Sequence, residues 1–363
     1  MIYLDYQATT PLAPEALDAM LPWLRDQHAN PHSTHAAGRK AKAAVEFARD
    51  QIAALLPPGG RVVFTSGATE SLNWAIKGLP PGAVVTIATE HAAVLDTVES
   101  LRRRGRDVTV LPVAGDGRAD RDAAFAAIRP GVSAVVAMLV NNEIGVLQPI
   151  AELALLAKFA GAPLVCDAVQ GYGRIPVPDC CDVVTLSAHK IHGPKGIGAL
   201  WIRNGIALDP LLHGGDQEGG RSGTLSPALC AGFGTAAALM AERSDDDHAH
   251  VERLWTLATE RLDGEWHING SIEHRYHGNL NIRRAGLDVA RLMSDVRDIA
   301  FSAGSACASG SGRSSHVLRA IGLAEAQARS SIRLGFGRYT TEADLAEAID
   351  RIMAAADAQR IAA

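Results

Sequence analysis

A histidine and a lysine stand together where an apolar run of the chain ends. His189 and Lys190 follow residues 183–187, and a glycine-rich stretch, residues 192–198, comes directly after them. A lysine at the mouth of a buried strand is partly desolvated, which lowers the pKa of its amine and makes it a candidate Schiff-base nucleophile. Lys190 is therefore a possible covalent anchor for a carbonyl compound.

A second segment has the composition of an anion-binding turn. Residues 66–71 read Ser-Gly-Ala-Thr-Glu-Ser and lie between an apolar run and a helical pattern. A small-residue turn at a helix N-terminus offers backbone N–H groups and the positive end of the helix dipole, which suit a phosphate. An ordinary helix cap by Ser66 or Thr69 accounts for the same residues. Taken alone, this segment leaves both interpretations open.

Three more polar residues each follow a different apolar run. Asp167 could pair with a cationic ring nitrogen or bind a metal. His91 could stack on a planar cofactor or move protons, and Asn142 could hydrogen-bond a phenolic oxygen. Each also has a structural explanation, respectively a helix cap, a buried histidine with its hydrogen bonds satisfied, and a turn asparagine. Their regular order along the chain favours one common site.

A parallel sheet would bring these residues to one edge. The apolar, β-branched runs that predict its strands are residues 61–65, 83–88, 107–112, 134–139, 163–166, 182–187 and 197–202. Alternation of such runs with helical patterns predicts an α/β fold with a mostly parallel seven-stranded sheet and helices on both faces. Ligands bind at the carboxyl ends of the strands in such sheets.

The remainder of the chain predicts a smaller α+β domain. Helical patterns fill residues 228–263, with acidic residues 245–247 at a surface turn or helix start, and a strand signal follows at residues 278–283. We expect residues 16–243 to form the large domain. Residues 1–15 and 244–363 would then form the small domain, which carries a mobile Gly/Ser-rich loop at about residues 302–315.

Composition excludes several classes of function. The 363 residues are 47% hydrophobic, and 35 Lys and Arg oppose 40 Asp and Glu for a net charge of -5, without long charged runs, so a nucleic-acid-binding surface is not indicated. No signal-peptide pattern and no membrane-spanning apolar stretch is present, which predicts a cytoplasmic protein. Five cysteines, an odd number, make a disulfide framework improbable.

Taken together, the motifs resemble those of pyridoxal-phosphate enzymes of fold type I, in the class V aminotransferase group. Within that group they are most similar to cysteine desulfurases of the NifS/IscS kind. The matching segments are residues 3–11, 66–71, 89–91, 141–145, 167–170, 187–196, 221–224, 304–307 and 331–333. They span nearly the whole chain, and the lysine and cysteine segments are highly specific in combination.

The resemblance implies a role for each matched residue around pyridoxal 5'-phosphate. Lys190 would form the Schiff base, Asp167 would pair with the pyridinium nitrogen, and His91 would stack on the ring. Asn142 and Gln170 would lie near the phenolic oxygen. The implied phosphate contacts are Ala68, Thr69, Ser187 and His189.

Two further implied contacts concern the partner subunit and the substrate. By similarity, Thr224 would reach the phosphate of the neighbouring subunit, so the active unit should be a homodimer. Arg333 would hold the carboxylate of L-cysteine by a bidentate pair, with Asn142 beside it. No metal ligand set belongs to this pattern.

Cys307 narrows the implied reaction to cysteine desulfuration. The resemblance implies that Lys190 moves the substrate α-proton, that the Cys307 thiolate takes the sulfur as a persulfide, and that L-alanine leaves. His91 is the candidate for proton transfer at the sulfur. Small residues around Cys307 give its loop freedom to move. The other cysteines, Cys166, Cys180, Cys181 and Cys230, adjoin apolar elements and are interpreted as structural.

Alternatives remain at three points. The chain ends in an alanine-rich helix at residues 349–363 without the tail that docks an iron-sulfur scaffold in IscS-type proteins, so an iron-sulfur scaffold and a tRNA-thiolation protein are equally open as sulfur acceptors. A lyase for selenocysteine or cysteine sulfinate, or an aminotransferase, would use the same cofactor. His28, His32 and His35 suggest a metal-binding protein, although their spacing is loose.

Overall fold

The computed structural model describes residues 1–215, 217–304 and 314–361. The strands are β1 (Ile2–Tyr3), β2 (Gly60–Thr65), β3 (Ala83–Ile87), β4 (Val108–Leu111), β5 (Val132–Met138), β6 (Leu164–Asp167), β7 (Val183–Ser187), β8 (Gly198–Arg203), β9 (Trp266–Ile268), β10 (Asn279–Arg284), β11 (Ile299–Ala300), β12 (Ser302–Ala303) and β13 (Ser331–Gly335). The helices are α1 (Pro14–Arg25), α2 (Ala36–Ala53), α3 (Ala68–Gly78), α4 (Ala92–Arg102), α5 (Arg121–Ala127), α6 (Ile150–Ala160), α7 (Pro227–Glu242), α8 (Ser244–Glu260), α9 (Val289–Asp295), α10 (His316–Ala320), α11 (Glu325–Arg329) and α12 (Glu342–Ile361).

One seven-stranded sheet has the order β2-β8-β7-β6-β5-β3-β4. Strands β4, β3, β5, β6 and β7 run parallel to one another, and β8 runs antiparallel to both of its neighbours, β7 and β2. All seven runs predicted as strands belong to this sheet. The predicted α/β fold with a mostly parallel sheet is therefore confirmed.

Both faces of this sheet are covered, which explains its continuous apolar strands. Every residue of β6 and β7 is buried, as expected where helices pack on each side. Successive side chains of a strand point to opposite faces of the sheet, so neighbouring residues belong to different hydrophobic cores. In β2, Phe64 packs in the core on one face and Val63 in the core on the other. The sheet therefore forms a rigid platform whose carboxyl edge holds polar side chains.

A separate core joins the two ends of the chain. Leu4 packs with residues of β10, β13 and α12, and β1 pairs in parallel with β11. Strands β12, β13, β10 and β9 form an antiparallel sheet beside this core. The helical interval at 228–263 is two helices, and α8 begins at Ser244, directly before the acidic residues. The division into domains at residue 243 stays a prediction.

Across the described ranges, no helix combines the length and the apolar character that crossing a bilayer requires.

Candidate active site

A cavity of about 660 Å³ lies at the carboxyl edge of the large sheet. Its walls contain all the predicted site residues that the structure describes, with the exception of Thr224. These residues are Ala68, Thr69, His91, Asn142, Asp167, Gln170, Ser187, His189, Lys190 and Arg333. The structure thus brings together side chains that follow β3, β5, β6 and β7, four strands adjacent in the sheet.

Lys190 is held at both its amino group and its backbone. Its Nζ donates hydrogen bonds to the carbonyl oxygens of Gln7, at 2.5 Å, and Ala8, at 2.8 Å. Its own carbonyl oxygen accepts from Arg174, which also donates to the carbonyl oxygen of Gln170 at 3.1 Å. Arg174 thereby ties the segment after β7 to the segment after β6.

Asp167 presents a buried carboxylate at the end of β6. Its Oδ1 accepts from the backbone N–H of Val169 at 3.0 Å and from the Thr185 hydroxyl at 3.4 Å. Burial is the largest influence on the pKa of Asp167 and raises it, while these hydrogen bonds and the nearby His91 and Lys190 oppose the rise. A cation placed against this carboxylate would offset the desolvation cost.

A second buried carboxyl group lies behind the first. Glu90 is fully buried, and its Oε1 accepts from the backbone N–H of Met138 at 2.6 Å. Burial, and then the charge of Asp167, raise the pKa of Glu90 well above its ordinary value. Burial and the neighbouring carboxylate therefore both favour the protonated form of Glu90.

His91 serves the fold and the cavity together. Its Nδ1 accepts from the backbone N–H of Ala93 at 3.1 Å, which caps α4. Burial lowers the pKa of His91, so the ring is neutral at pH 7 and carries its proton on Nε2. His91 thus caps a helix and also lines the cavity, and its predicted role at the ring stays a prediction.

The anion-binding turn has an open helix start. Helix α3 begins at Ala68 after Gly67, which has no side chain to cap it, so the interpretation of Ser66 or Thr69 as an ordinary cap is wrong. Gly198 supports the turn by close backbone approach, because a Cβ there would lie 2.7 Å from the Cα of Gly67. Backbone N–H groups at this end of the cavity are thus open to an anion.

His189 borders the same end of the cavity. Its Nδ1 lies 3.2 Å from Oγ1 of Thr9. Burial lowers the pKa of His189 to about 4, and the charges of Lys190 and Lys195 act in the same direction. At neutral pH this ring therefore offers a hydrogen bond and no positive charge, whereas Lys195 supplies a cation in the cavity wall.

Arg333 approaches the cavity from β13, in the smaller sheet. It is only 3% exposed, and its Nη1 donates to the carbonyl oxygen of Asn142 at 3.0 Å. Its Nη2 donates to Asp5 at 2.7 Å and to the hydroxyl of Ser302 at 3.1 Å. A buried guanidinium held in this way is suited to a carboxylate ligand.

The sequence did not reveal the N-terminal contribution. Gln7, Ala8 and Thr9 line the cavity, and two of them act through carbonyl oxygens that every residue possesses. Their segment follows no apolar strand that would mark it as part of a sheet edge. In the sequence, this segment was marked only by its match to the family motifs at residues 3–11, and that match assigned no chemical role to Gln7, Ala8 or Thr9.

Other predicted residues lie elsewhere. Cys307 falls outside the described residues, and Thr224 is exposed and does not line the cavity, so the roles predicted for both remain predictions. Cys166, Cys181 and Cys230 are buried, as a structural role requires. Cys180 is exposed, so the interpretation of it as a buried structural cysteine is wrong.

The alternative metal site does not form. Within the described ranges, no three or more His, Cys, Asp or Glu side chains are arranged to hold a metal ion. Nδ1 of His35 accepts from the backbone N–H of Gly38, which caps α2. The interpretation of His28, His32 and His35 as a metal site is therefore wrong.

Comparisons with known proteins agree with this geometry. Residues 2–347 match the family described as aminotransferase class-V. The chain is 41% identical to the cysteine desulfurase IscS of Rickettsia bellii over 97% of its own length and 90% of that protein.

Solved structures extend the agreement to the fold. A NifS-like protein from Rickettsia africae superimposes with a TM-score of 0.90 at 30% identity, covering 98% of this chain and 99% of that one. The structure of SspA in complex with cysteine gives a TM-score of 0.82 at 35% identity, covering 94% and 100% of the two chains.

Proposed function

The chain belongs to the class-V aminotransferase family and is a cysteine desulfurase, and from that premise we propose that Lys190 and Cys307 divide its reaction between them. Lys190 anchors the cofactor and moves the substrate proton, and Cys307 takes the sulfur. L-Cysteine becomes L-alanine. One observation carries the proposal, namely that Lys190, Asp167 and Arg333 line the same cavity.

The family implies pyridoxal 5'-phosphate, and the residues of the cavity fit it. The open start of α3 at Gly67 suits the phosphate, and the buried carboxylate of Asp167 suits the ring nitrogen. Lys190 lines the same cavity, within reach of a carbonyl group bound there. When bound, the cofactor withdraws electrons from the substrate and thereby makes its Cα–H acidic.

On the side of the large sheet, each residue would act on the cofactor. Asp167 would keep the ring nitrogen protonated, because the buried carboxylate gains a cation partner. His91 would stack on the ring and exchange protons through Nε2. Asn142 and Gln170 would hydrogen-bond the phenolic oxygen, and Ala68, Thr69, Ser187 and His189 would hold the phosphate.

A second group of residues would act on the substrate itself. Arg333 would hold the carboxylate of L-cysteine, and its contact with Asn142 links the carboxylate site to the ring site. Lys190 would take the Cα proton. The Cys307 thiolate would then attack the substrate sulfur, the bond from carbon to sulfur would break, and the persulfide would remain on Cys307.

We also propose an oligomeric state, a cellular location and a sulfur acceptor for the protein. Thr224 is exposed on its own chain, as a residue that reaches the phosphate of a second subunit in a homodimer would be. The four described cysteines are free of disulfides, which fits the reducing cytoplasm. The sulfur acceptor would be an iron-sulfur scaffold or a tRNA-thiolation protein.

Mass spectrometry of the protein after exposure to L-cysteine tests the proposal. We expect the mass of one sulfur atom to be added at Cys307, and no addition in Cys307→Ala or Lys190→Ala. Cys180→Ala is the matched control, because Cys180 is exposed but lies outside the cavity. Sulfide release by Cys307→Ala, or alanine release by Lys190→Ala, would refute the assigned division of labour.

A further inference from the structure

We propose that the carbonyl oxygens of Gln7 and Ala8 are the docking position of the Lys190 amino group whenever it is not bonded to the cofactor. The side chain of Gln7 holds this position in place and makes Gln7 a positioning residue. This inference deepens the proposed function and rests on it, because it concerns the lysine that moves the substrate proton.

The first support is the geometry at the lysine. Nζ of Lys190 donates to both carbonyl oxygens, at 2.5 and 2.8 Å, so two N–H bonds have fixed directions. The carbonyl oxygen of Gln7 also accepts from Nε2 of Gln170 at 3.0 Å. The amino group of Lys190 therefore shares an acceptor with a side chain predicted to contact the ring.

The second support is the anchoring of Gln7. The residue is 4% exposed, and its Nε2 donates to the carbonyl oxygen of Gly278 at 2.8 Å. Gly335 packs so closely that a Cβ there would lie 1.7 Å from Oε1 of Gln7. Contacts with Gly278 and Gly335 thus hold the side chain of Gln7 in place, while its backbone carbonyl oxygen accepts the hydrogen bond from Lys190.

Thr10 anchors the same segment from its other end. Its Oγ1 donates to the carbonyl oxygen of His189 at 2.9 Å and accepts from the backbone N–H of His192 at 2.7 Å. The backbone N–H of Thr10 also donates to the carbonyl oxygen of His189. The residues on both sides of Lys190 are therefore fastened to the segment that supplies its acceptors.

The consequence is a defined orientation for the base. An amine that leaves the cofactor has four rotatable carbon bonds behind it, and without partners it would sample many positions. Two carbonyl acceptors direct two of its N–H bonds, which fixes the direction of the lone pair that takes the substrate proton. Proton transfer depends steeply on such geometry.

Gln7→Met in the holoenzyme tests the inference, since methionine keeps the volume and removes the hydrogen bond to Gly278. We expect kcat for alanine formation to fall about ten-fold, with KM changed less than about three-fold. The kinetic isotope effect with α-deuterated L-cysteine should rise, because proton transfer becomes slower relative to the other steps. The affinity for the cofactor, measured by absorbance titration of the cofactor-depleted chain, should stay within about three-fold.

Gln148→Met is the matched control. Gln148 is also buried and donates through Nε2 to a backbone carbonyl, that of Gly117 at 2.7 Å, but it does not line the cavity. This variant should lose thermal stability and keep the wild-type isotope effect. A Gln7→Met protein with an unchanged isotope effect would overturn the inference, whether or not its kcat falls.

A second pair of variants covers the case in which Gln7→Met does not fold. Thr10→Val removes the hydroxyl that fastens the segment, and Thr10→Ser restores it. We expect the isotope effect to rise in Thr10→Val and to return in Thr10→Ser, and an unchanged value in Thr10→Val would overturn the inference. If Lys190→Ala still formed alanine, the proposed function itself would fail; if only the isotope effects failed to move, the docking position alone would be wrong.

Discussion

The cavity has two walls that are built in different ways. The sheet wall consists of His91, Asn142, Asp167 and Lys190, each on or just after a buried strand of the large sheet. The other wall, called here the N-terminal wall, consists of residues 7–9 and Arg333. The sheet wall presents side chains from adjacent strands, whereas the N-terminal wall joins parts of the chain as distant as Asp5 and Arg333, which are 328 positions apart.

The difference separates two tasks. Locally encoded strand ends position the groups that we propose to contact the ring and phosphate of the cofactor. The N-terminal wall holds the lysine amine through backbone carbonyls, and it holds Arg333, the proposed carboxylate site, through a long-range ion pair with Asp5. Substitutions on the two walls should therefore differ in what they impair.

The largest effect is expected on the sheet wall, for Asp167→Asn. An amide has no negative charge to balance the positive charge of a protonated ring nitrogen. We therefore expect kcat to fall about 100- to 1,000-fold, measured as alanine release under saturating L-cysteine. Asp182→Asn is the control, because Asp182 accepts from the backbone N–H of Leu164 at the opposite end of the same strand. Equal losses in both variants would show that Asp167 acts on the fold and not on the cofactor.

A smaller effect is expected on the N-terminal wall, for Arg333→Gln. Loss of a charged hydrogen-bond partner should raise KM for L-cysteine about 10- to 100-fold, with a lesser change in kcat. Binding should be compared, by cofactor absorbance, between L-cysteine and cysteamine, which lacks the carboxylate. Arg333→Gln should weaken the binding of L-cysteine selectively, and equal weakening of both ligands would contradict a carboxylate site.

The smallest effect concerns a contact between the chain segments that continue from the two walls, where Nδ1 of His192 lies 2.9 Å from the carbonyl oxygen of Pro11. Burial lowers the pKa of His192 to about 3, so the unfolded chain binds more protons between pH 6.5 and 3, and stability must fall as pH falls through that window. At pH 5 the loss from this residue is about 2 kcal/mol relative to neutral pH.

His192→Asn should flatten the stability profile over that window. Asparagine tolerates the positive φ of 66° at this position, and it does not titrate. Unfolding free energies measured in denaturant between pH 4.5 and 7.5 check this expectation. The exposed His248 offers the control His248→Asn, which should leave the slope unchanged, and a wild-type slope in His192→Asn would contradict the burial argument.

The two walls also differ in how far the sequence predicted them. Continuous apolar runs identified all seven strands of the large sheet, and Asp167 and Asn142 could be placed because parallel strands end at a common edge. Lys190 could be identified because an amine at the end of a buried strand is a candidate nucleophile. The fold and the sheet wall therefore follow from local patterns.

The N-terminal wall has no comparable signal. The carbonyl oxygens of Gln7 and Ala8 have no side-chain signature, and the pairing of Asp5 with Arg333 is a tertiary contact that periodicity cannot indicate. Arg333 was found only through resemblance. The exposure of Cys180 was also missed, because adjacency to a strand does not determine which side of a turn faces solvent.

The pairing of the first residues with the last third of the chain has a consequence for biosynthesis. Ile2–Tyr3 leave the ribosome long before their partners in β11, and Gln7 likewise precedes its contacts Gly278 and Gly335 by more than half of the chain. At ordinary translation speeds the interval is on the order of tens of seconds. The large sheet can form during that time, but the lysine lacks its carbonyl pair until the smaller sheet is made. The two acceptors that orient the Lys190 amino group are therefore in place only after the last third of the chain has been translated.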